Sequence, residues 1–299
     1  MEAATEAGQD PATVKPQRHQ QEPTETVRRI YRKLSRRWGP QHWWPADTAF
    51  EVVVGAILTQ NTSWTNVEKA IANLREASAL NIEAIRGLPI AELEQLIRPS
   101  GYFRQKAARL KEFVVFLDGN YGGSLAAMLA TPTLQLREQL LEQKGIGPET
   151  ADSILLYAGQ KPIFVVDAYT RRVLERHDAV ARSAGYDEVR ELVEGALQAE
   201  KPLPAPDGKA LAAERPAVHS PSTISAAARP GRVQVFNEMH GLFVQLGKHY
   251  CSQRAPNCET CPLKGMLTHP IVEEPPVKRR RQVKPTGRAA AQLSRKSRV

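Results

Sequence analysis

The segment LLEQKGIGPETA, residues 140–151, decides the fold of this chain. It joins two apolar helical patterns through the turn Gly145-Ile146-Gly147. Glycine allows positive φ and lets the backbone approach a ligand closely. Pro148 suits the first turn of the next helix, where its missing N–H costs nothing. Because the free amides at a helix start bind anions, the segment predicts a helical hairpin whose turn faces an anionic ligand.

A second motif follows twenty residues after the turn, where the apolar run Phe164-Val165-Val166 ends on Asp167. An aspartate that opens a helix is a candidate N-cap. The helix amides and dipole would keep such a carboxylate ionised at neutral pH. An ionised carboxylate that faces a sugar can stabilise an oxocarbenium-like state and orient a water, as in glycosidic hydrolysis. Asp167 is therefore a candidate catalytic residue as well as a cap.

Helical periodicity dominates the rest of the sequence. Apolar residues recur at three- and four-residue spacing, and the only strand-like stretch is 162–166. The predicted fold class is therefore all-α. The patterns predict helices over residues 24–38, 48–59, 64–74, 89–97, 105–117, 134–143, 151–158, 169–176, 186–198 and 236–246.

Composition divides the chain into five segments. Residues 1–22 are polar and are predicted to be a disordered tail, and 23–200 form a helical body. Residues 201–232 are rich in Pro, Ala and Ser, which is typical of an insertion or linker. A helix and a cysteine loop follow in 233–267, and we expect them to pack on the body, since a lone helix cannot bury its apolar face. Residues 268–299 are predicted to be a basic disordered tail.

The charge balance points to a polyanionic partner without requiring one. The formal net charge is +9, and 41% of the residues are hydrophobic, as in a soluble globular protein. After residue 270 nine Lys and Arg oppose two Glu, so this tail carries a net +7. Such a tail raises non-specific affinity for nucleic acid.

The longest apolar run, 50–58, is too short for a bilayer, which takes about 20 residues. No secretion signal is evident, so a cytoplasmic location is expected, with nucleoid association if the source is bacterial.

The hairpin, the segment after it and Asp167 together resemble the helix-hairpin-helix (HhH-GPD) DNA glycosylase superfamily, in its endonuclease III-like branch. The resemblance covers roughly residues 25–265. It implies a two-lobed helical fold and a monomer that binds double-stranded DNA containing a damaged base. By this resemblance Asp167 is catalytic, and the DNA backbone is gripped by Gly145, Ile146, Gly147 and Thr150.

One position departs from the lyase members of that branch. They carry a lysine two residues after the second hairpin glycine, and this chain has Glu149 there. A carboxylate cannot form the Schiff base that strand cleavage needs. The departure predicts a monofunctional glycosylase, which removes the base and leaves the abasic site intact.

Two further segments, 43–45 and 55–64, resemble the 3-methyladenine glycosylase III type. In that type Gln60 falls where a residue enters the gap left in the duplex. The residues implied to form the pocket for the flipped base are Trp43, Trp44, Pro45, Trp64 and Lys248. Aromatic faces replace the stacking that an extruded base loses, and indoles add cation–π attraction for N3-alkylated adenine. The alternative is that the three tryptophans are ordinary core residues.

All three cysteines lie within eleven residues, which favours a metal site over disulfides in a chain without a secretion signal. The spacing of Cys251, Cys258 and Cys261 resembles the first three ligands of the family's 4Fe–4S loop, and Leu267 occupies the position of the fourth. An iron–sulfur cluster with an outside ligand is favoured. A metal-free remnant loop is one alternative, and a zinc site that uses His249 or His269 is another.

The leading hypothesis is thus a monofunctional DNA glycosylase for alkylated purines in base-excision repair. A second hypothesis is an endonuclease III-like glycosylase and lyase that acts on oxidised or mismatched bases. A third, from another class, is a non-catalytic protein that binds DNA through the hairpin and the basic tail.

Overall fold

The computed structural model describes residues 22–203 and 220–267, which lie in one compact unit. Within these ranges the structure is helical and contains no strand, so the all-α prediction is confirmed. No helix of this part of the chain is long and apolar enough to cross a membrane. The α-helices are α1 (Pro23–Trp38), α2 (Ala49–Leu58), α3 (Trp64–Glu76), α4 (Ile82–Gly87), α5 (Ile90–Leu96), α6 (Phe103–Tyr121), α7 (Leu125–Ala130), α8 (Thr133–Leu141), α9 (Pro148–Ser153), α10 (Ala168–Arg176), α11 (Tyr186–Leu197), α12 (Thr223–Ala226) and α13 (Gly231–His249).

Helix α2 is the centre of one lobe. Its sequence AFEVVVGAIL is apolar on nearly every side, and all residues from Phe50 to Leu58 are buried. The Thr48 hydroxyl caps its start by accepting a hydrogen bond of 3.1 Å from the amide of Glu51. A helix that is apolar all round must be covered all round. Helices α3, α6 and α9 provide that cover.

The second lobe consists of α1, α10, α11 and α13. Helix α1 carries an apolar stripe of Val27, Ile30, Tyr31 and Leu34, and it packs against α11 and α13. Helix α10 also packs against α13. A single π-helical turn, Ile154–Ala158, continues α9 and contacts both α2 and α13. The two lobes therefore meet at this turn.

Three short helices, α4, α7 and α12, were not predicted from the sequence. Each is four to six residues long, which is too short to show a 3.6-residue period. What fixes their starts is local capping. The side chains of Asn81, Ser124 and Ser222 each accept a hydrogen bond from a backbone amide three residues later.

The prediction that 162–166 is strand-like was wrong, because these residues form coil without strand pairing in the described chain. Side chains of α11 take the place of a partner strand. The amide of Phe164 donates to Glu194 Oε1 at 2.8 Å, and the amide of Val166 donates to the Tyr186 hydroxyl at 3.2 Å. Residues 163–166 are buried and lead directly into Asp167.

Candidate active site

The hairpin turn between α8 and α9 rests on Arg109 of α6. Gly145 has a φ of +83°, and a Cβ at this position would collide with the Arg109 side chain. Gly147, the N-cap of α9, has an ordinary φ of −93° and open space where a Cβ would be. Ile146 is buried between them. Only the first glycine of the motif is thus required by the geometry of the turn itself.

Gln60 is bound to this hairpin. Its Nε2 donates to the carbonyl of Gly145 and to Thr150 Oγ1, both at 2.9 Å. Arg109 Nη1 donates to Gln60 Oε1. The entry of Gln60 into a duplex gap stays a prediction, and it requires both of its hydrogen bonds to the hairpin to break.

A cavity of about 280 Å³ lies beside the hairpin. Three indoles form one side of it, with ring centroids 5.0–5.6 Å apart: Trp43, Trp44 and Trp64. Gly55 of α2 lies against the Trp44 ring, where a Cβ would be only 3.2 Å from it. Trp43 and Trp44 are buried, so these rings are core residues and pocket walls at once. Pro45 is not among the described lining residues.

Asp167 closes the far side of the cavity at the start of α10. Its Oδ1 accepts from the amide of Thr170 at 2.7 Å, and Oδ2 lies 3.6 Å from His240 Nε2. Its side chain is 12% exposed. Burial by itself raises the pKa of Asp167, but the adjacent His240 and the Thr170 amide outweigh burial, so the pKa lies below its usual value. The carboxylate is therefore held ionised and fixed in orientation.

His240 and Tyr157 are site residues that the sequence did not reveal. His240 lines the cavity from α13, and its Nδ1 lies 2.5 Å from the Tyr157 hydroxyl. Both side chains are buried, and 83 residues separate them in the chain. Within an apolar helical pattern each resembles an ordinary core residue, so only the tertiary structure shows that they meet.

Glu149 and Lys248 carry the other ionisable groups of the cavity. Partial removal from water and the nearby Asp167 charge raise the pKa of Glu149 to about 7, although the residue as a whole is exposed. Lys248 Nζ lies 5.5 Å from the Trp43 ring centroid, and loss of hydration lowers the pKa of Lys248. Lys248 is the only lysine among the described lining residues.

The cysteine loop is tied to α10 by arginines. Arg176 Nη1 lies 3.1 Å from Cys251 Sγ and donates to the carbonyl of Ser252 at 2.8 Å. Its Nη2 donates to the carbonyl of Gln253 at 3.1 Å. Arg172 Nε donates to the carbonyl of Cys251 at 2.7 Å. These bonds hold the first part of the loop against α10.

An iron–sulfur cluster or a zinc site at the three cysteines stays a prediction. Within 22–203 and 220–267 no three His, Cys, Asp or Glu side chains are grouped so that they could hold a metal ion. Burial raises the pKa of the Cys261 thiol to about 11. Leu267 offers no donor atom, and His269 lies outside the described residues.

A helical hairpin beside a base-sized aromatic pocket that ends on a buried carboxylate defines a protein that acts on bases extruded from DNA. Residues 54–199 match the family model of HhH-GPD superfamily base excision DNA repair proteins. A Methanocaldococcus jannaschii protein, named provisionally as a DNA repair glycosylase, is 40% identical over 241 residues, which are 80% of this chain and 94% of its own. The chain belongs to the HhH-GPD superfamily and is a DNA glycosylase of that superfamily.

Other relatives confirm the endonuclease III-like branch and the fold. Endonuclease III of Thermotoga maritima is 26% identical over 80% of this chain and 91% of its own. The crystal structure of H. pylori 3-methyladenine DNA glycosylase bound to 1,N6-ethenoadenine gives a TM-score of 0.57 at 29% identity and covers 76% of this chain and 97% of that one. A trapped endonuclease III–DNA covalent intermediate gives 0.61 at 20% identity, with coverages of 82% and 95%.

Proposed function

We propose that this glycosylase is monofunctional and excises alkylated purines of the 3-methyladenine type. The observation that carries the proposal is the pocket, in which three indole rings form one side of a cavity of about 280 Å³ that ends on Asp167. A cationic base gains cation–π attraction from these rings that the unmodified base lacks. The likeness to the H. pylori 3-methyladenine glycosylase supports the same substrate class.

The reaction follows from this arrangement. The flipped base enters the cavity and lies against the indole side of it, and its sugar faces Asp167. The C1′–N bond breaks and its electron pair moves onto the base, which neutralises the positive charge of the alkylated ring. The ionised Asp167 stabilises the oxocarbenium-like sugar and orients a water, which adds to C1′ and releases one proton. Because the base leaves as a neutral molecule, no strong general acid is needed.

The absence of strand cleavage is the second part of the proposal. Glu149 stands at the hairpin where lyase members carry a lysine, and it supplies no amine for a Schiff base. The lysine that does line the cavity, Lys248, lies against the Trp43 ring on α13. The expected product is therefore an intact abasic site.

Base release from duplex DNA tests both parts. The substrates are freshly methylated DNA carrying 3-methyladenine and oligonucleotides carrying thymine glycol or a T·G mismatch, each with and without alkali. Release of the alkylated purine, with breaks only after alkali, is expected. Breaks without alkali, or a borohydride-trapped adduct that Lys248→Gln removes, would overturn the monofunctional claim.

Two further results would change the assignment of substrate or class. Release of only thymine glycol or mismatched thymine would favour the endonuclease III-like alternative. Absence of any release would favour a non-catalytic DNA-binding protein. Asp167→Asn is the matched control, because it removes the carboxylate charge with little change of shape. It is expected to abolish release and to preserve binding to damaged duplex.

A further inference from the structure

Three side chains lie in a row that ends at the pocket: Tyr157, His240 and Asp167. The Tyr157 hydroxyl lies 2.5 Å from His240 Nδ1, and His240 Nε2 lies 3.6 Å from Asp167 Oδ2. Asp167 Oδ1 is engaged by the Thr170 amide. Each oxygen of the carboxylate thus faces a nitrogen. Tyr157 belongs to the π turn where the two lobes meet, so the row connects that junction to the reacting carboxylate.

The hydrogen on the imidazole can be assigned from Tyr157. Burial raises the pKa of Tyr157 well above its usual value, so the phenol keeps its proton. In the described part of the chain, His240 Nδ1 is the only hydrogen-bond partner of the Tyr157 hydroxyl, so the buried phenol donates to Nδ1. A neutral imidazole then carries its own hydrogen on Nε2. Nε2 is the ring nitrogen that lies near Asp167 Oδ2. The distance of 3.6 Å is longer than a hydrogen bond, as is common in active sites before substrate binds.

We propose that His240 is a positioning residue for Asp167: its Nε2–H holds the carboxylate ionised and in plane, and Tyr157 fixes the tautomer that makes this possible. The proposal rests on the proposed function only in taking Asp167 as the catalytic carboxylate. An N-cap bond alone restrains one oxygen, whereas a second donor restrains both. The carboxylate then cannot rotate away from the sugar.

Other charged groups also face this row and must be kept constant in any test. Glu149 approaches Asp167 from α9, Tyr169 from α10 and Lys248 from α13. Arg229 and Glu238 lie behind Tyr157. Because Glu149 titrates near neutral pH, the activity measurements are made in a Glu149→Gln background as well as in the native chain.

The first experiment needs no substrate. In protein labelled with ¹⁵N-histidine, the His240 signals are assigned among the seven histidines by their loss in His240→Gln. The expected spectrum at pH 7 shows a protonated Nε2 and a hydrogen-bond-accepting Nδ1, and Tyr157→Phe is expected to give mixed tautomers. An Nε2 that carries no hydrogen, or a ring protonated on both nitrogens, would overturn the assignment.

The second experiment is the pH profile of single-turnover base release. His240→Phe is expected to move the acid limb upward by about one pH unit, the usual effect of losing a close partner of a carboxylate. His240→Gln restores a donor in the place of Nε2 and is expected to return the limb toward the wild-type position. His177→Gln replaces another buried histidine, away from the pocket, and is the control that leaves the limb in place.

The outcomes separate the two proposals. If the wild-type protein releases no base, the proposed function fails, while the ¹⁵N spectrum still decides how His240 is arranged. If the wild-type protein is active and the acid limb of His240→Phe does not move, or His240→Gln behaves as His240→Phe does, the positioning role is wrong.

Discussion

Lys106 is a charged residue enclosed by the protein, with 1% of its surface exposed. Its Nζ donates to the carbonyls of Leu58 and Ser100, both at 2.7 Å. Burial lowers its pKa from 10.5 to about 8. Between these values the unfolded chain binds the proton and the folded chain does not, so this residue makes stability rise with pH across that window.

Replacement by methionine tests this contribution. Lys106→Met leaves two buried carbonyls without their donor, so we expect a lower free energy of unfolding at every pH. The difference in free energy of unfolding between the wild type and Lys106→Met is expected to widen by up to about 3 kcal/mol from pH 8 to 10.5. Over this range the cost of deprotonating Lys106 on folding decreases, and only the wild type carries that cost. Urea unfolding of both proteins at several pH values measures the difference. A constant difference would show that Lys106 keeps its proton throughout.

Glu149 makes the pocket's charge depend on pH. With a pKa of about 7 it becomes an anion as the pH rises from 6 to 8, and an anion at the pocket mouth attracts a cationic base. Release of 3-methyladenine is therefore expected to increase across this range, and Glu149→Gln to flatten the increase. The control substrate is 1,N6-ethenoadenine, which is uncharged at this pH. An equal rise for both substrates would contradict the charge argument.

The candidate site shows which residues sequence alone can reveal. Asp167 is found locally, because an apolar run that ends on an N-cap is visible within ten residues. Glu149 is found because it replaces a residue type at a fixed place in the hairpin motif. His240 and Tyr157 are linked only by tertiary packing across 83 residues, and no local pattern distinguishes them from core residues.

The hairpin connects α8 and α9 through two glycines that have different structural roles. Gly145→Ala would place a Cβ against Arg109 in a residue with positive φ. We expect it to destabilise the protein by about 2 kcal/mol and to disturb the hydrogen bonds of Gln60 to the turn. Gly147→Ala is the matched control, since its φ is ordinary and its Cβ would meet open space.

Measurements of thermal unfolding and DNA binding for these two variants distinguish the roles of the two glycines. Gly147→Ala is expected to keep wild-type stability, and any decrease in its DNA affinity would indicate that this residue lies close to a phosphate. Equal stability of both variants would contradict the role of Arg109 as the support of the turn. The sequence motif predicted the hairpin, but it could not show which glycine is indispensable, because Arg109 comes from a different helix.

At the scale of the whole molecule, the spacing of apolar residues predicted the long helices and the fold class. Apolar residues that recur every three or four positions mark the buried face of a helix. The cysteine loop shows the limit of this approach. Spacing in the sequence suggested a cluster, but metal binding depends on the relative placement of side chains. In the described structure arginines of α10 hold the first part of the loop, and the cluster itself stays a prediction.

The distribution of charge over the whole chain gives the last prediction. The tail beyond residue 270 holds nine Lys and Arg and two Glu, while the hairpin and pocket lie within the described residues. Replacing all nine cations by Gln is expected to weaken binding to undamaged duplex and to make its salt dependence shallower. The logarithmic slope is expected to fall by about 0.9 for each phosphate that the tail no longer neutralises.

The same substitutions are expected to leave the melting temperature and the rate of base release at saturating protein unchanged, because they change none of the described core and pocket residues. Binding titrations at several salt concentrations, with Asp167→Asn as the catalytically silent reference, measure the slope. An unchanged slope would show that the tail neutralises no phosphate. The DNA affinity of the protein would then rest on the charges of the folded body, where Arg and Lys of α1 and the hairpin amides are the groups to test next.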